Sequence, residues 1–241
     1  MTETTRRDLL KGAAGAVILA PGLTLIAAKA QARAPGSAAS AANRFGLLID
    51  TRKCDSGCTA CVDACKTEMG LTGHDRPATD VQYIRKVNVK DPATGAAHSV
   101  PVMCQHCAKP PCVDVCPTGA SMKRADGIVL VDRHICIGCR YCMMACPYKA
   151  RSFAHEDQTN QREANPRGKG CVEACTLCAH RIDAGAKPAC VEACAATGKA
   201  AILFGDLADP NSELSRRVAA EASTRIRADL GTGPAVRYQG I

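Results

Sequence analysis

The chain has 241 residues, of which 17 are cysteine, 4 tyrosine and 3 phenylalanine, with no tryptophan and a formal net charge of +8. So few aromatic side chains indicate that something other than hydrophobic packing fills much of the interior. The length argues against a small disulfide scaffold, and the single extended apolar run argues against a polytopic membrane protein. The charge would suit nucleic acid, but ionised cysteines would offset it, so we expect no nucleic-acid partner.

The first 32 residues predict a signal peptide. Arg6 and Arg7 precede an apolar stretch at positions 12–28 and small residues suited to cleavage. The arginine pair favours the twin-arginine route, while an ordinary secretory signal or an uncleaved anchor is the alternative. We therefore expect a twin-arginine signal at 1–32, a flexible linker at 33–43, and a periplasmic protein that is exported folded and is peripheral to the inner membrane.

Sixteen cysteines fall into four sets of four, and Cys171 is left over. Set one is Cys54, Cys58, Cys61 and Cys65; set two is Cys104, Cys107, Cys112 and Cys116; set three is Cys136, Cys139, Cys142 and Cys146; set four is Cys175, Cys178, Cys190 and Cys194.

The spacing of set three, followed by Pro147, is the C-x2-C-x2-C-x3-C-P run of bacterial ferredoxins. Three thiolates on a tight loop bind one [4Fe–4S] cube, and the fourth binds a neighbouring cube. Gly138 supplies backbone freedom inside that loop. Disulfides, zinc sites and c-type haem need other arrangements: unstrained pairs, paired C-x2-C motifs, or C-x2-C-H. The sequence therefore predicts four [4Fe–4S] clusters.

Two features of the cysteine pattern allow more than one interpretation. Sets one and four lack the proline after their last cysteine, and set one has an extra residue between Cys54 and Cys58. A three-iron, altered or absent cluster is therefore an alternative at either of those sets. Cys171 is either a spare buried thiol or a competing ligand, because its spacing to Cys175 repeats the start of set one.

The segments between the sets predict two β-hairpins. Residues 81–90 and 99–103 are rich in β-forming side chains around a turn. Residues 121–132 contain a second such pattern, with the turn at Asp126-Gly127.

The remaining segments predict few regular elements. Residues 147–170 lack periodicity and predict a surface loop, and residues 202–204 predict the final strand. A helix is expected from Asn211 or Ser212 to about Arg227, followed by an extended tail.

The motifs of the last two sets resemble those of a known family. The run from Cys136 to Tyr148 and the run from Cys175 to Arg181 resemble the four-cluster ferredoxin subunits of bacterial respiratory complexes. These include the electron-transfer subunits of dimethyl sulfoxide, polysulfide, tetrathionate and nitrite reductases. The signal peptide and the long gap in set one look most like the DsrO-type periplasmic ferredoxins of DsrMKJOP complexes in sulfur metabolism. The likeness covers residues 44–241.

The fold expected for residues 44–241 is α+β. The sets predict two tandem bacterial-ferredoxin-like units with β-hairpin insertions and a C-terminal helix and extended tail. The resemblance implies that sets one and four form one unit and that sets two and three form the other. It also implies four ligand groups: site I with Cys54, Cys58, Cys61 and Cys194; site II with Cys65, Cys175, Cys178 and Cys190; site III with Cys104, Cys107, Cys112 and Cys146; site IV with Cys116, Cys136, Cys139 and Cys142.

The function implied is electron transfer without a substrate site. The implied membrane partner is a quinone-interacting protein of the NrfD or DsrP type, with a multihaem cytochrome c as a further candidate, and the chain would reach the membrane only through such partners. One alternative is the electron-transfer subunit of a molybdopterin-type reductase or a nitrite reductase complex. Another is a catalytic enzyme with one labile cluster, which would need an iron without a cysteine ligand.

Three side chains near the cysteines are candidates for tuning a cluster. His106 could donate a hydrogen bond to a cluster sulfur, or it could simply contact solvent. His180 and Arg181 directly follow a cysteine motif and could tune a cluster in the same way.

Overall fold

The computed structural model describes residues 37–241. The predicted signal peptide at 1–32 and the first part of the predicted linker lie outside the described residues. Positions 37–43 contain neither helix nor strand, and Asn43 then donates a side-chain hydrogen bond to Asp206 at 2.6 Å. Between residues 37 and 241, no helix is both long and apolar enough to cross a membrane.

Short helices and short strands make up the described chain, in agreement with the α+β class. The strands are β1 (Phe45–Asp50), β2 (Ile84–Lys90), β3 (Ala97–Met103), β4 (Ser121–Lys123), β5 (Val129–Val131), β6 (Arg151–Phe153), β7 (Val172–Ala174), β8 (Ile202–Asp206) and β9 (Val236–Gln239). The α-helices are α1 (Ala60–Met69), α2 (Pro111–Asp114), α3 (Tyr141–Ala145), α4 (Ala179–Asp183), α5 (Ala189–Ala196) and α6 (Glu213–Ala220). Single 3-10 turns occupy Thr51–Lys53 and Ala228–Leu230.

The strand β1 lies at the centre of a three-stranded sheet. It pairs antiparallel with β8 and parallel with β9. Leu47 faces Phe204 on one side and Val236 on the other, and its side chain is fully buried. The first and last strands of the described chain therefore belong to one sheet.

The two predicted hairpins are confirmed. Strands β2 and β3 pair antiparallel over their whole length, and β4 pairs with β5 around a turn in which Gly127 has a positive φ. The first hairpin lies between sets one and two, and its strand β3 ends at Met103, directly before Cys104. The second hairpin lies between sets two and three.

The short helices pack in pairs that connect different cysteine sets. Helix α1, which carries Cys65, packs against α5, which carries Cys190 and Cys194. Helix α2, with Cys112, packs against α3, with Cys142. Most of the buried thiols share one continuous core with buried aliphatic side chains. The division into two tandem units stays a prediction.

The prediction of a surface loop over residues 147–170 is wrong in part. Residues Arg151–Phe153 form strand β6, which pairs with β7. Asn165 is also buried, and its side-chain amide donates to the carbonyl oxygen of Met69 at 2.8 Å. Polar side chains are buried here because they have hydrogen-bond partners in distant segments, which a local pattern does not reveal.

The C-terminal region differs from the prediction in two ways. Helix α6 starts after Ser212, as expected, but ends at Ala220 and does not reach Arg227. The chain leaves the helix because Thr224 exchanges backbone hydrogen bonds with Tyr238. Strand β8 is not the final strand, since the expected extended tail forms β9 inside the sheet.

Candidate iron–sulfur sites

All seventeen cysteines lie within the described residues, and all are free thiols. Most are buried, four are partly buried, and Cys139 is exposed. Thiols that are buried close together without forming disulfides are typical of metal ligands.

Site III surrounds a small cavity. Its four cysteines line this cavity together with Pro110, Pro111 and Pro147. Burial raises the pKa of Cys112, and the neighbouring thiol of Cys146 raises it further. The structure thus brings together one thiol group from set three and three from set two, as the family resemblance implies; their role as ligands remains a prediction.

Site II surrounds a second small cavity. Its four thiols lie among apolar side chains that include Leu47 and Met69. Burial, followed by the neighbouring thiol of Cys178, raises the pKa of Cys190 to about 12. The amide N–H of Leu177 donates to Cys175 Sγ at 3.4 Å. Apolar walls and a backbone donor are the surroundings that thiolate ligands of a cluster require.

The thiols of site I interact with one another near the protein surface. Burial raises the pKa of Cys61 to about 11, and the neighbouring Cys54, Cys194 and Cys58 thiols contribute to the rise. The ammonium group of Lys86 donates to the carbonyl oxygen of Cys58 at 2.7 Å. A cation at this position favours ionised thiols.

Site IV is the most exposed of the four. The Cys142 thiol interacts electrostatically with that of Cys136, whereas Cys116 accepts a hydrogen bond from the amide of Ser121 at 3.3 Å. Burial alone would raise the pKa of Cys116, but that hydrogen bond and others to Thr118 lower it overall. The structure therefore groups sites I, II and III and part of site IV.

The loop of site IV depends on a glycine, as predicted. Gly138 has a φ of +71°, and a side chain there would collide with the carbonyl oxygen of Gly170. Only glycine allows the two backbones to approach so closely. This contact holds the loop between Cys136 and Cys139 against the segment that precedes β7.

The arrangement of the thiols fits four-iron clusters. Among residues 37–241, no three or more His, Cys, Asp or Glu side chains are arranged to hold a metal ion. In a [4Fe–4S] cube each of four thiolates binds a different iron, so the ligands surround a volume and do not converge on one ion. The cavities of sites II and III, each lined by four thiols, have this form.

Cys171 lies beside set three in space. Its thiol donates to the carbonyl oxygen of Arg133 at 3.3 Å. Burial raises its pKa, and the nearby Cys136 thiol adds to the rise. The thiol therefore has a backbone partner of its own, although its spacing along the chain matches the start of set one.

The histidine candidates have different surroundings. The alternative that His106 contacts solvent is wrong, because the side chain is 1% exposed. Its Nδ1 accepts the amide hydrogen of Val129 at 3.0 Å, and its Nε2 has no hydrogen-bond partner. His180 and Arg181 contact the carboxylate of Glu68 at 2.8 Å and 3.1 Å. Burial raises the pKa of the Cys178 thiol of set four, and the charge of Arg181 acts on that thiol with a smaller, lowering effect.

Two buried arginines escape prediction from the sequence. Arg151 donates through Nη2 to Cys112 Sγ at 3.0 Å, and Arg167 forms a buried ion pair with Glu173. Both lie in the segment 147–170 predicted as a surface loop. The only sequence signal for a role of Arg151 near a cluster is its position five residues after Cys146, but a basic residue at such a position is more often exposed to solvent.

Comparison with known proteins decides the family. A family model described as a 4Fe-4S dicluster domain matches residues 96–206. The Hdr-like menaquinol oxidoreductase iron-sulfur subunit 1 of Archaeoglobus fulgidus is 40% identical over 258 residues, with 95% of each chain covered. The chain belongs to this family of iron–sulfur subunits.

A tetrathionate reductase subunit of Salmonella typhimurium is 37% identical over 83% of this chain and 73% of its own. Protein NrfC of Escherichia coli is also 37% identical, over 79% of this chain and 78% of its own.

Membership of the iron–sulfur subunit family confirms two predictions. The chain binds several [4Fe–4S] clusters. It is an iron–sulfur electron-transfer subunit of an oxidoreductase complex and not the catalytic subunit. The alternative of a catalytic enzyme with one labile cluster is thereby set aside.

Proposed function

We propose that this iron–sulfur subunit relays electrons through four [4Fe–4S] clusters held at sites I to IV. The supporting observation is that each of two small cavities is lined by four thiols from two cysteine sets. The clusters supply reversible one-electron chemistry at iron. The chain's own residues hold the thiolates, exclude water and donate hydrogen bonds to sulfur, and they move no proton.

The donor or acceptor on one side is a quinone-interacting membrane subunit of the NrfD or DsrP type. Interconversion of a quinol and a quinone exchanges two electrons and two protons; the protons are exchanged with water at the membrane subunit, and the electrons pass one at a time to or from this chain. The 40% identity to a menaquinol oxidoreductase subunit and the DsrO-type sequence features support a complex of the DsrMKJOP type, with a multihaem cytochrome c as a further redox partner.

A second candidate function is the electron-transfer subunit of a molybdopterin-type reductase. The 37% identity to the tetrathionate reductase subunit of Salmonella typhimurium favours it. Metal analysis of the intact complex separates the two: molybdenum in a stoichiometric amount supports the reductase, whereas haem and a quinone-reactive membrane subunit without molybdenum support the first candidate.

The proposed location is the periplasmic face of the inner membrane. The arginine pair at positions 6 and 7 and the apolar stretch after it support export of a folded protein. Unfolded, so many thiols would oxidise in that compartment. Assembly of clusters before export is consistent with a signal for the twin-arginine route.

Site IV is the proposed point of electron entry or exit. Cys139 is exposed, and Ile137, Tyr141 and Met144 around it expose 67%, 62% and 76% of their surfaces. Tyr141 and Met144 are three residues apart on α3, so they share one face. Grouped apolar and aromatic residues are typical of protein interfaces. Because the exposed basic residues Arg140 and Lys149 lie close to this surface along the chain, we expect a redox partner with an acidic rim.

Cluster content tests the proposal directly. Mature protein purified without oxygen is expected to be brown and to hold about sixteen irons and sixteen sulfides per chain. A potentiometric titration followed by EPR should then resolve four one-electron couples. A colourless, zinc-loaded protein that is folded to the same degree would contradict the proposal.

A further inference from the structure

Arg151 is a buried cation without a carboxylate partner. It is the first residue of β6 and is 6% exposed. In the part of the chain that the structure describes, no Asp or Glu forms an ion pair with it, whereas buried Arg167 pairs with Glu173 at 2.9 Å. A buried guanidinium without an anion is strongly unfavourable, so its counter-charge must come from another group.

The anions available to Arg151 are thiolates. Its Nη2 donates to Cys112 Sγ at 3.0 Å and to Ser121 Oγ at 2.7 Å. Its charge also interacts with Cys142 and Cys104. The second terminal nitrogen, Nη1, is buried and has no hydrogen-bond partner.

The hydrogen bond to Cys112 places the guanidinium at site III, and its charge also acts on a thiol of site IV. Cys112 and Cys104 belong to site III, and Cys142 belongs to site IV. Protonated thiols would give Arg151 no counter-charge, whereas cluster ligands are ionised. The position of the side chain is therefore suited to a state in which both sites hold thiolates.

We propose that Arg151 is a shared potential-tuning residue, which raises the reduction potentials of the clusters at sites III and IV together. The proposal rests on the ligand groups of the proposed function. Each electron that enters a site adds one negative charge, and a fixed cation nearby stabilises the reduced form more than the oxidised form. Because arginine stays protonated at accessible pH, no proton accompanies the electron at this residue.

The test is a potentiometric EPR titration of the intact wild-type, Arg151→Gln and Arg151→Lys proteins. Glutamine removes the charge and retains an amide donor. We expect two of the four couples to shift to lower potential, with at least a tenfold lower ratio of reduced to oxidised cluster at fixed ambient potential, equivalent to about 59 mV for a one-electron couple. Lysine retains the charge but lacks the planar fork that reaches Cys112 and Ser121, so it should give an intermediate shift.

Two matched controls separate this role from general effects of substitution. Ser121→Ala changes a neighbour of Cys112 and keeps the guanidinium, so it should move at most the couple of site III. Arg85 donates to the carbonyl oxygens of Tyr148 and Lys149 and contacts no thiol, so Arg85→Gln should leave all four couples unchanged.

The outcomes distinguish the inference from the function on which it rests. Unchanged couples in both Arg151 variants, at full iron content, would overturn the inference. If Arg151→Gln assembles too few clusters, the Arg151→Lys protein decides: a shift of two couples supports the inference, and its absence overturns it. Low iron content in the wild-type protein would instead contradict the four-cluster function.

Discussion

Arg167 and Glu173 form an ion pair inside the protein, with 2.9 Å between Nε of the arginine and Oε2 of the glutamate. Both side chains are almost completely buried. The hydroxyl of Tyr83 donates to the same carboxylate at 3.3 Å, and Arg167 Nη1 donates to the carbonyl oxygen of Gly70 at 2.9 Å. The pair therefore connects β7 to the C-terminal end of α1, which carries cysteines of set one.

Breaking this pair should destabilise the protein strongly. In Arg167→Met, the Glu173 carboxylate stays buried without its main partner, and we expect a loss of about 3 to 5 kcal/mol in the free energy of unfolding. Urea denaturation of the cluster-loaded protein measures the loss. The exposed pair of Arg217 and Glu221 on α6 provides the control, because Arg217→Met should change stability very little. Similar losses in both variants would contradict a special role for the buried pair.

The assignment of Cys194 to site I, although it belongs to set four, predicts that its replacement removes one particular cluster. Cys194→Ser should lower the iron content by about four atoms per chain, because a [4Fe–4S] cube loses one thiolate. Cys171→Ser should keep the wild-type content, since the Cys171 thiol donates to the carbonyl oxygen of Arg133. Iron and sulfide analysis of the two variants is the measurement. A loss of about four irons in Cys171→Ser would instead identify Cys171 as a ligand.

A negative charge introduced at the exposed surface of site IV should slow electron exchange with the partner. In Met144→Glu we expect the rate to fall at least about tenfold, the equivalent of 1.4 kcal/mol, because an acidic side chain would face the acidic rim of the partner. Stopped-flow reduction in the intact complex measures it. Val89 on β2 is also apolar and 49% exposed, so Val89→Glu is the matched control. Equal slowing in both variants, at unchanged iron content, would place the contact elsewhere.

Replacing the arginine pair of the signal should block export. With Arg6→Lys and Arg7→Lys together, we expect the cluster-loaded protein to accumulate in the cytoplasm, because the route that moves folded proteins reads that pair. Cell fractionation with detection of the brown protein measures its location. The Lys11→Arg variant keeps the pair and should be exported as the wild type is. Normal export of the double variant would favour an ordinary secretory signal.

The hairpins and the cysteine loops could be predicted from the sequence because their signals are local. Asp126-Gly127 fixes a tight turn, and the strands on either side are only a few residues away. Gly138 was likewise recognisable, since the spacing of set three already specifies a tight loop. Grouping of thiols from distant sets required the family resemblance, because spacing along the chain does not show which loops meet in space.

Long-range pairing could not be predicted for the opposite reason. Strand β9 is four residues long and pairs in parallel with β1. The two strands are separated along the sequence by almost the whole described chain. Such a pairing leaves no turn signal in the sequence. Burial of Arg151 was unpredictable on other grounds: its thiol partner Cys112 lies 39 positions earlier, and a basic residue within a polar segment gives no local sign of a buried role.

The central position of β1 has a consequence for the timing of assembly. Leu47 lines the cavity of site II and is paired with Val236 near the end of the chain. During synthesis, β1 leaves the ribosome long before its parallel neighbour β9 is made. The wall of that cavity is therefore completed only after residues 236–239 have been made, and a chain truncated before Val236 would lack one side of the sheet that supports it.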